Sequence, residues 1–341
     1  MSASDVVVSA EGLRIWYGTE RGPVRAVDGV SFELRAGETL GLVGESGCGK
    51  STLGRGLLDL LPEGSKMDGS LRYQGHDVLA MSTSRRHALR GSDLAMIFQE
   101  PLTRLNPLMR IREHFEEALR THEPGVGKDE LRRRSMEVLR RIGIPPTRYE
   151  SYPHEFSGGM RQRLMIALAL ALRPAFIVAD EPTTALDVLV EAQILEMLHD
   201  LCSEIDTALL LITHNLGIVA EACDRVAVMY AGEIVEIGDA RDVFRNPRHP
   251  YTRELLRSTI SLSTTGLHYI PGAPPDLVEP PSGCHFHPRC PDAMTVCTTT
   301  APPVVESAGT LAACWLQSPG AIPAGAEEPL RRREISDADE A

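Results

Sequence analysis

Gly44-Glu45-Ser46-Gly47-Cys48-Gly49-Lys50-Ser51-Thr52 fits the template G-x-x-x-x-G-K-[ST] of a loop that wraps phosphate. A template this short occurs by chance, so its flanks decide. Thr39 to Val43 before it reads as a buried strand and Leu53 to Leu61 after it as a helix, the order such a loop requires over an ordinary strand-turn-helix. Glycines remove side chains where backbone N–H groups must curl round a triphosphate, at the positive end of the helix dipole. Lys50 is then placed to neutralise the β- and γ-phosphates and the Ser51 hydroxyl to ligate Mg²⁺.

Working outward, Val6 to Tyr17 and Val30 to Leu34 read as strands, separated by a turn around Thr19 to Pro23. Trp16 and Tyr17 stand out in a chain only 5% aromatic: either one stacks on a base, or both are ordinary strand core. Gly69 to Gln74 and Leu94 to Phe98 read as further strands, the latter ending at Gln99-Glu100-Pro101. Helical periodicity over Ile111 to Thr121 and Lys128 to Ile142 indicates a helical insertion, with Arg132-Arg133-Arg134 on a solvated face. Ser157-Gly158-Gly159 then opens an apolar helix ending at Leu172, either as an anion site or as a plain helix cap. Phe176 to Glu181 is an apolar strand ending in two carboxylates, which suits a Mg²⁺-linked Asp180 followed by Glu181 as base. A helix from about Val188 to Cys202 and a strand from Ala208 to Thr213 follow, and His214 lies on the same sheet edge as the loop and the acids.

Composition bounds the rest. With 341 residues, roughly two domains are expected, and 24% charged residues is typical of a soluble globular protein. A net charge of −12 argues against general adhesion to nucleic acid or anionic lipid. Met1 to Ala10 lacks the features of a secretory signal, and the apolar run Leu164 to Leu172 falls far short of a membrane span. Work at a membrane would require a partner.

The ordered set GESGCGKST, Gln99, FSGGMRQR, FIVADEPTTALD and His214 resembles an ABC-transporter ATP-binding subunit over about residues 6 to 315. The phrases MIFQEPLTRLNP, ITHNLGIVAE and PRHPYTRELL are similar to the oligopeptide/dipeptide/nickel permease group, and Met160 with PTTALD to its dipeptide-type D subunit. The resemblance implies an α/β fold: a P-loop NTPase core with an antiparallel β subdomain (1–98 and 165–245), a helical subdomain (99–164) and a Cys-containing C-terminal extension (246–317), with a disordered tail (318–341). It implies that Tyr17 stacks on adenine, that Gly44 to Thr52 hold the phosphates, and that Ser51, Gln99 and Asp180 hold Mg²⁺. Glu181 would activate water, and Gln99 and His214 would sense the γ-phosphate. Ser157, Gly158 and Gly159 would complete the ATP site of an opposing subunit, with Asp187 crossing the interface. Met160 stands where the signature usually has Gln, and Asn215 where an Asp often follows the histidine; neither removes a catalytic group.

The partners implied are a second, different ATP-binding subunit, two transmembrane permease subunits and an extracytoplasmic solute-binding protein, with no nucleic acid, at the cytoplasmic face of the membrane. Short peptides lead as cargo, with nickel complexes or other small solutes behind. A soluble ABC ATPase of DNA repair or translation would carry coiled-coil insertions or tandem cassettes, and a non-hydrolysing cassette would not need Glu181 and His214. Of the 7 cysteines, Cys284, Cys290, Cys297 and Cys314 crowd a Pro-rich segment that needs some cross-link to be ordered. Their spacing leaves zinc, an iron–sulfur cluster and unliganded thiols open. The resemblance of GCHFHPRCPDAM to extensions that bind a 4Fe-4S cluster favours the cluster.

Overall fold

The computed structural model describes residues 5–99, 104–183, 187–258 and 268–330. Two sheets organise it. The first is antiparallel, in the order β2-β1-β4-β5, from β1 (Val6–Thr19), β2 (Gly22–Arg35), β4 (Lys66–Tyr73) and β5 (His76–Asp77). The second runs β11-β12-β10-β9-β3-β8-β7-β6. Its parallel part comprises β3 (Thr39–Val43), β6 (Leu94–Ile97), β7 (Phe176–Asp180), β8 (Ala208–Ile212) and β9 (Arg225–Tyr230). Antiparallel β10 (Glu233–Asp239), β12 (Thr310–Ala313) and β11 (Val304–Ser307) close one side.

Sequence explains the layering. Every residue of β3, β7 and β8 is buried, as strands covered on both faces require. Alternate residues go to opposite cores: Phe176, Val178, Leu210 and Ile212 pack toward the first sheet, while Ile177, Ala179, Leu209 and Leu211 pack toward the helices. Helix α1 (Lys50–Leu57) is wedged close against the parallel strands, because a Cβ on Gly54 would meet Val178 and Ile212 at 2.9 Å. It starts before the expected Leu53 and stops before Leu61, turning at Asp59, whose φ is +54°.

The helical insertion comprises α3 (Ile111–His122) and α4 (Lys128–Arg141), after α2 (Thr83–Leu89). Ile111, Phe115 and Leu119 recur at the i, i+4, i+8 spacing of a single helix face and are buried with Leu131 and Leu139. Arg133 and Arg134 form exposed ion pairs with Glu130, as a solvated face should. Helices α5 (Gly158–Leu170), α6 (Val188–Glu204) and α7 (Leu216–Ala222) cover the sheet's second face.

The C-terminal region is built round aromatics. Phe286, 1% exposed, sits with its ring 5.1 Å from that of Tyr230 and 5.3 Å from that of Tyr251. Helices α8 (Ala240–Arg245) and α9 (Pro250–Arg257) pack into this centre, while α10 (Thr295–Thr299) packs with Trp315 in a smaller adjoining cluster. Residues 318–330 fold back on it, Thr295 N–H donating to Glu328 O at 3.0 Å and Leu330 N–H to Ala293 O at 2.9 Å; the rest of the expected tail, 331–341, lies outside the described residues.

His249 caps α9 by accepting the Tyr251 N–H on Nδ1 at 3.0 Å. Burial lowers its pKa from 6.5 to about 3, so the folded state holds it neutral. A depressed folded pKa contributes stability above the unfolded value, lost as pH falls through the folded one. Chemical denaturation should therefore show stability declining as pH falls from 6.5 toward 3. His249→Asn, which can still accept the N–H but does not titrate, should flatten that decline.

Candidate functional site

The carboxyl ends of β3, β7 and β8 meet at one edge, and the residues immediately beyond them form the site. After β3, Gly44 adopts φ +152° and Gly49 φ +109°. A Cβ on Gly44 would lie 2.1 Å from Met229 O, and one on Gly49 1.9 Å from Ala26 O, so no side chain fits at either position. Lys50, 7% exposed, folds back on the loop, Nζ donating to Gly44 O at 2.8 Å and Glu45 O at 2.9 Å. Ser46, Gly47 and Thr52 complete the loop and its first helical turn, with Cys48 buried in its wall.

After β7 come the two acids. Asp180, 4% exposed, accepts from Ser51 Oγ at 2.8 Å, and Arg55 lies 3.9 Å away. Burial pushes the Asp180 carboxyl above its ordinary range, against the lowering effects of the Ser51 hydrogen bond and the Arg55 charge. A hydroxyl and a carboxylate side by side are the hard oxygen donors that suit Mg²⁺, whose remaining ligands are usually water and phosphate.

Glu181 takes φ +45°, a strained conformation for a non-glycine, and donates its N–H to Ile212 O at 2.9 Å. That turn aims its carboxylate at the other two predicted groups: Gln99 Nε2 donates to Oε2 at 3.3 Å, and His214 Nδ1 stands 3.7 Å from it. Gln99, Glu181 and His214 are therefore brought together beside the Ser51–Asp180 pair.

Ser157 and Gly158 are exposed, and Ser157 caps α5 by accepting the Met160 N–H at 3.4 Å. A Cβ on Gly159 would meet Val190 of α6 at 3.2 Å, which places this motif against the helix capped by Asp187. Leu189 beside them is 78% exposed. Of the expected interface segment, Thr184, Ala185 and Leu186 lie outside the described residues. Tyr17 is half-buried opposite Val24, while the Arg25 guanidinium stacks 5.5 Å from the Trp16 ring centre, leaving Tyr17 as the aromatic not so engaged.

Three contributors escaped sequence reading. Glu191 accepts from Thr183 Oγ1 at 2.9 Å and from Asn215 Nδ2 at 3.3 Å, joining the loop after β7 to the turn after β8. Tyr251 and Arg289 both bond Glu45 of the phosphate loop from more than two hundred residues away. Their partners have no fixed sequence spacing, so no local signal announced them.

The expected iron–sulfur or zinc centre is corrected. Cys284, Cys290, Cys297 and Cys314 do line one small apolar cavity with Phe286, Met294 and Trp315. Among the described residues, however, no group of three or more His, Cys, Asp or Glu side chains is arranged to hold a metal ion. A 4Fe-4S cluster or zinc at these four residues is therefore without support. Aromatic packing, the β10–β12 pairing and the contacts of residues 318–330 order the extension without a cross-link.

Strand, glycine loop, paired acids and switch histidine on one sheet edge define an ATPase of the P-loop class with an ABC cassette. Residues 27–184 match the ABC transporter family, and residues 235–297 the oligopeptide/dipeptide transporter C-terminal region. The oligopeptide transport ATP-binding protein OppD of Salmonella typhimurium is 46% identical, over 92% of this chain and 94% of that one. The dipeptide transport ATP-binding protein DppD of Bacillus subtilis is 45% identical, over 91% and 95%. Among solved structures, cbiO1 of Clostridium perfringens, part of the ABC transporter complex cbiONQ, superposes with a TM-score of 0.63 at 27% identity, over 71% of this chain and 92% of that one. The dimeric post-hydrolysis cassette MJ0796, bound to ADP and Pi, gives 0.61 at 26% identity, over 69% and 99%. The chain belongs to the family of ATP-binding subunits of oligopeptide/dipeptide ABC transporters.

Gly49→Ala is expected to weaken ATP binding by about tenfold or more, since the loop must distort to relieve both the clash and the positive φ. Titration with a fluorescent ATP analogue measures it.

Proposed function

We propose that this chain hydrolyses ATP to energise import of oligopeptides or dipeptides, working as one of two ATP-binding subunits beneath two transmembrane permease subunits. The observation that carries the chemistry is the convergence of Gln99, Glu181 and His214 on one carboxylate beside Ser51 and Asp180. In this reading Glu181 takes the proton of the attacking water, and His214 and Gln99 orient it toward the γ-phosphate. Lys50 exchanges its loop carbonyls for phosphate oxygens, and Ser51 and Asp180, with Gln99, would hold Mg²⁺. Mg²⁺, when bound with ATP, supplies charge neutralisation between the phosphates.

Ser157, Gly158 and Gly159 serve the partner's nucleotide. The exposure of Ser157 and Gly158, and that of Leu189 beside them, supports a surface that a second cassette covers. The partner is a different ATP-binding subunit, cargo is delivered by an extracytoplasmic solute-binding protein, and the chain sits peripherally on the cytoplasmic face. Among the described residues no helix is long and apolar enough to cross a membrane, so attachment goes through the permease.

That attachment is assigned to a groove of about 280 Å³ between α5, β6 and α3, lined by Leu60, Met96, Phe98, Met165, Leu168 and Leu172. Phe98 in its wall immediately precedes Gln99 in the chain, and an apolar cytoplasmic helix of a permease subunit is the occupant its apolar lining suits. The segment from Gln99 to Arg110 and the helical insertion belong to the same docking surface; it includes Leu108, 85% exposed, while Glu100 to Thr103 lie outside the described residues.

Glu181→Gln should lower hydrolysis by the assembled complex by about 10²–10⁴-fold while ATP stays bound. Phosphate release at an undiminished rate would refute the role given to Glu181. Leu168→Glu should leave ATP binding intact and abolish co-purification with the permease subunits; full recovery of the complex would remove the groove from the docking surface.

A further inference from the structure

Glu45 places a carboxylate inside a loop that must receive a triphosphate, an electrostatic liability unless something cancels it. Arg289 does so. Its guanidinium meets the carboxylate with both arms, Nη1 to Oε2 at 2.6 Å and Nη2 to Oε1 at 2.9 Å, the bidentate geometry that combines charge with orientation. The Arg289 side chain is 5% exposed and that of Glu45 24%, so solvent screens the pair only in part.

Arg289 is itself fixed. Nε donates to Pro271 O at 2.9 Å and Nη2 to Ile270 O at 3.2 Å, while Nη1 also reaches the Tyr230 hydroxyl at 3.4 Å. The Glu45 N–H donates to the Tyr251 hydroxyl at 2.8 Å. One residue of the phosphate loop is thus held by side chain and backbone from the C-terminal half. The same extension reaches the β1–β2 hairpin that carries Tyr17, where Leu277 O accepts the Arg25 N–H at 2.9 Å and Asp276 pairs with Arg21.

We infer that Arg289 is a positioning residue for nucleotide binding: by neutralising and orienting Glu45, it makes the ATP affinity of the phosphate loop depend on the folded C-terminal extension. The inference rests on the ATPase reading above and deepens it. Removing the guanidinium leaves a carboxylate to repel the incoming phosphates and a loop residue free to reorient. Lysine preserves the charge but cannot match both oxygens.

The test uses the assembled complex, with ATP affinity from a fluorescent analogue, KM and kcat from phosphate release, and the thermal midpoint without nucleotide. Arg289→Ala should raise both Kd and KM for ATP by about tenfold, equivalent to ~1.4 kcal/mol, with kcat changing less. Arg289→Lys should raise them by about threefold, for want of the fork. Adding Glu45→Gln to Arg289→Ala should restore most of the lost affinity, because the unpaired carboxylate is gone. A merely structural arginine would lower the thermal midpoint and leave Kd and KM within about twofold of wild type, which would overturn the inference. Should Arg289→Ala not fold, Arg289→Lys decides by the same criterion. A wild-type complex that binds no ATP would overturn the ATPase reading as well, which separates the two failures.

Discussion

Everything at the site depends on the register of three parallel strands. Leu42 of β3 pairs with Ile212 of β8, and Ile212 with Asp180 of β7, so the three strands end in step. The hydrogen bond from Glu181 N–H to Ile212 O continues that alignment past the last pleat. A one-residue slip would turn every side chain of a strand to the opposite face and carry Asp180 away from Ser51. Because β3, β7 and β8 are buried on both faces, what opposes the slip is the loss of side-chain fit in two packed layers and of the Ser51–Asp180 and Glu181–Ile212 hydrogen bonds, not exposure of apolar surface.

What the sequence made legible follows the same division. Short apolar runs ended by glycines or acids could be read as strands with functional residues at their tips, and Gln99, Glu181 and His214 do converge there. The periodic faces of α3 and α4 were readable because their apolar residues recur every turn. Contacts between distant residues were not readable: Arg289 and Glu45 are separated by 244 positions, and no local pattern links them. The cysteines misled for a related reason. Spacing reports what a chain can reach, whereas the contacts that order the extension are Phe286 and Trp315 packing and the pairing of β12 with the sheet.

The site also shows how a charged loop is kept folded before its ligand arrives. Lys50 is nearly buried, and an unpaired ammonium there would be expensive; the Gly44 and Glu45 carbonyls hold it meanwhile. Asp180 is held by Ser51 in the same way, and Glu45 by Arg289. Lys50 and Asp180 are thus each satisfied by a neighbour that ligand binding can displace, whereas the Glu45–Arg289 pair stays in place as part of the preformed frame.

That exchange also explains why one chain is insufficient. The helix opened by Ser157 belongs to the layer covering the second face of the sheet, and its capping serine and Gly158 face solvent beside the exposed Leu189. A helix N-terminus with open N–H groups favours an anion, and an apolar leucine beside it favours burial. One approaching body that carries phosphate on an apolar-rimmed surface would satisfy both, and a second cassette with ATP in its loop is such a body. Glu191 ties the buried Thr183, in the loop after β7, to Asn215, next to His214, so the two strand tips behind that surface are held by one carboxylate.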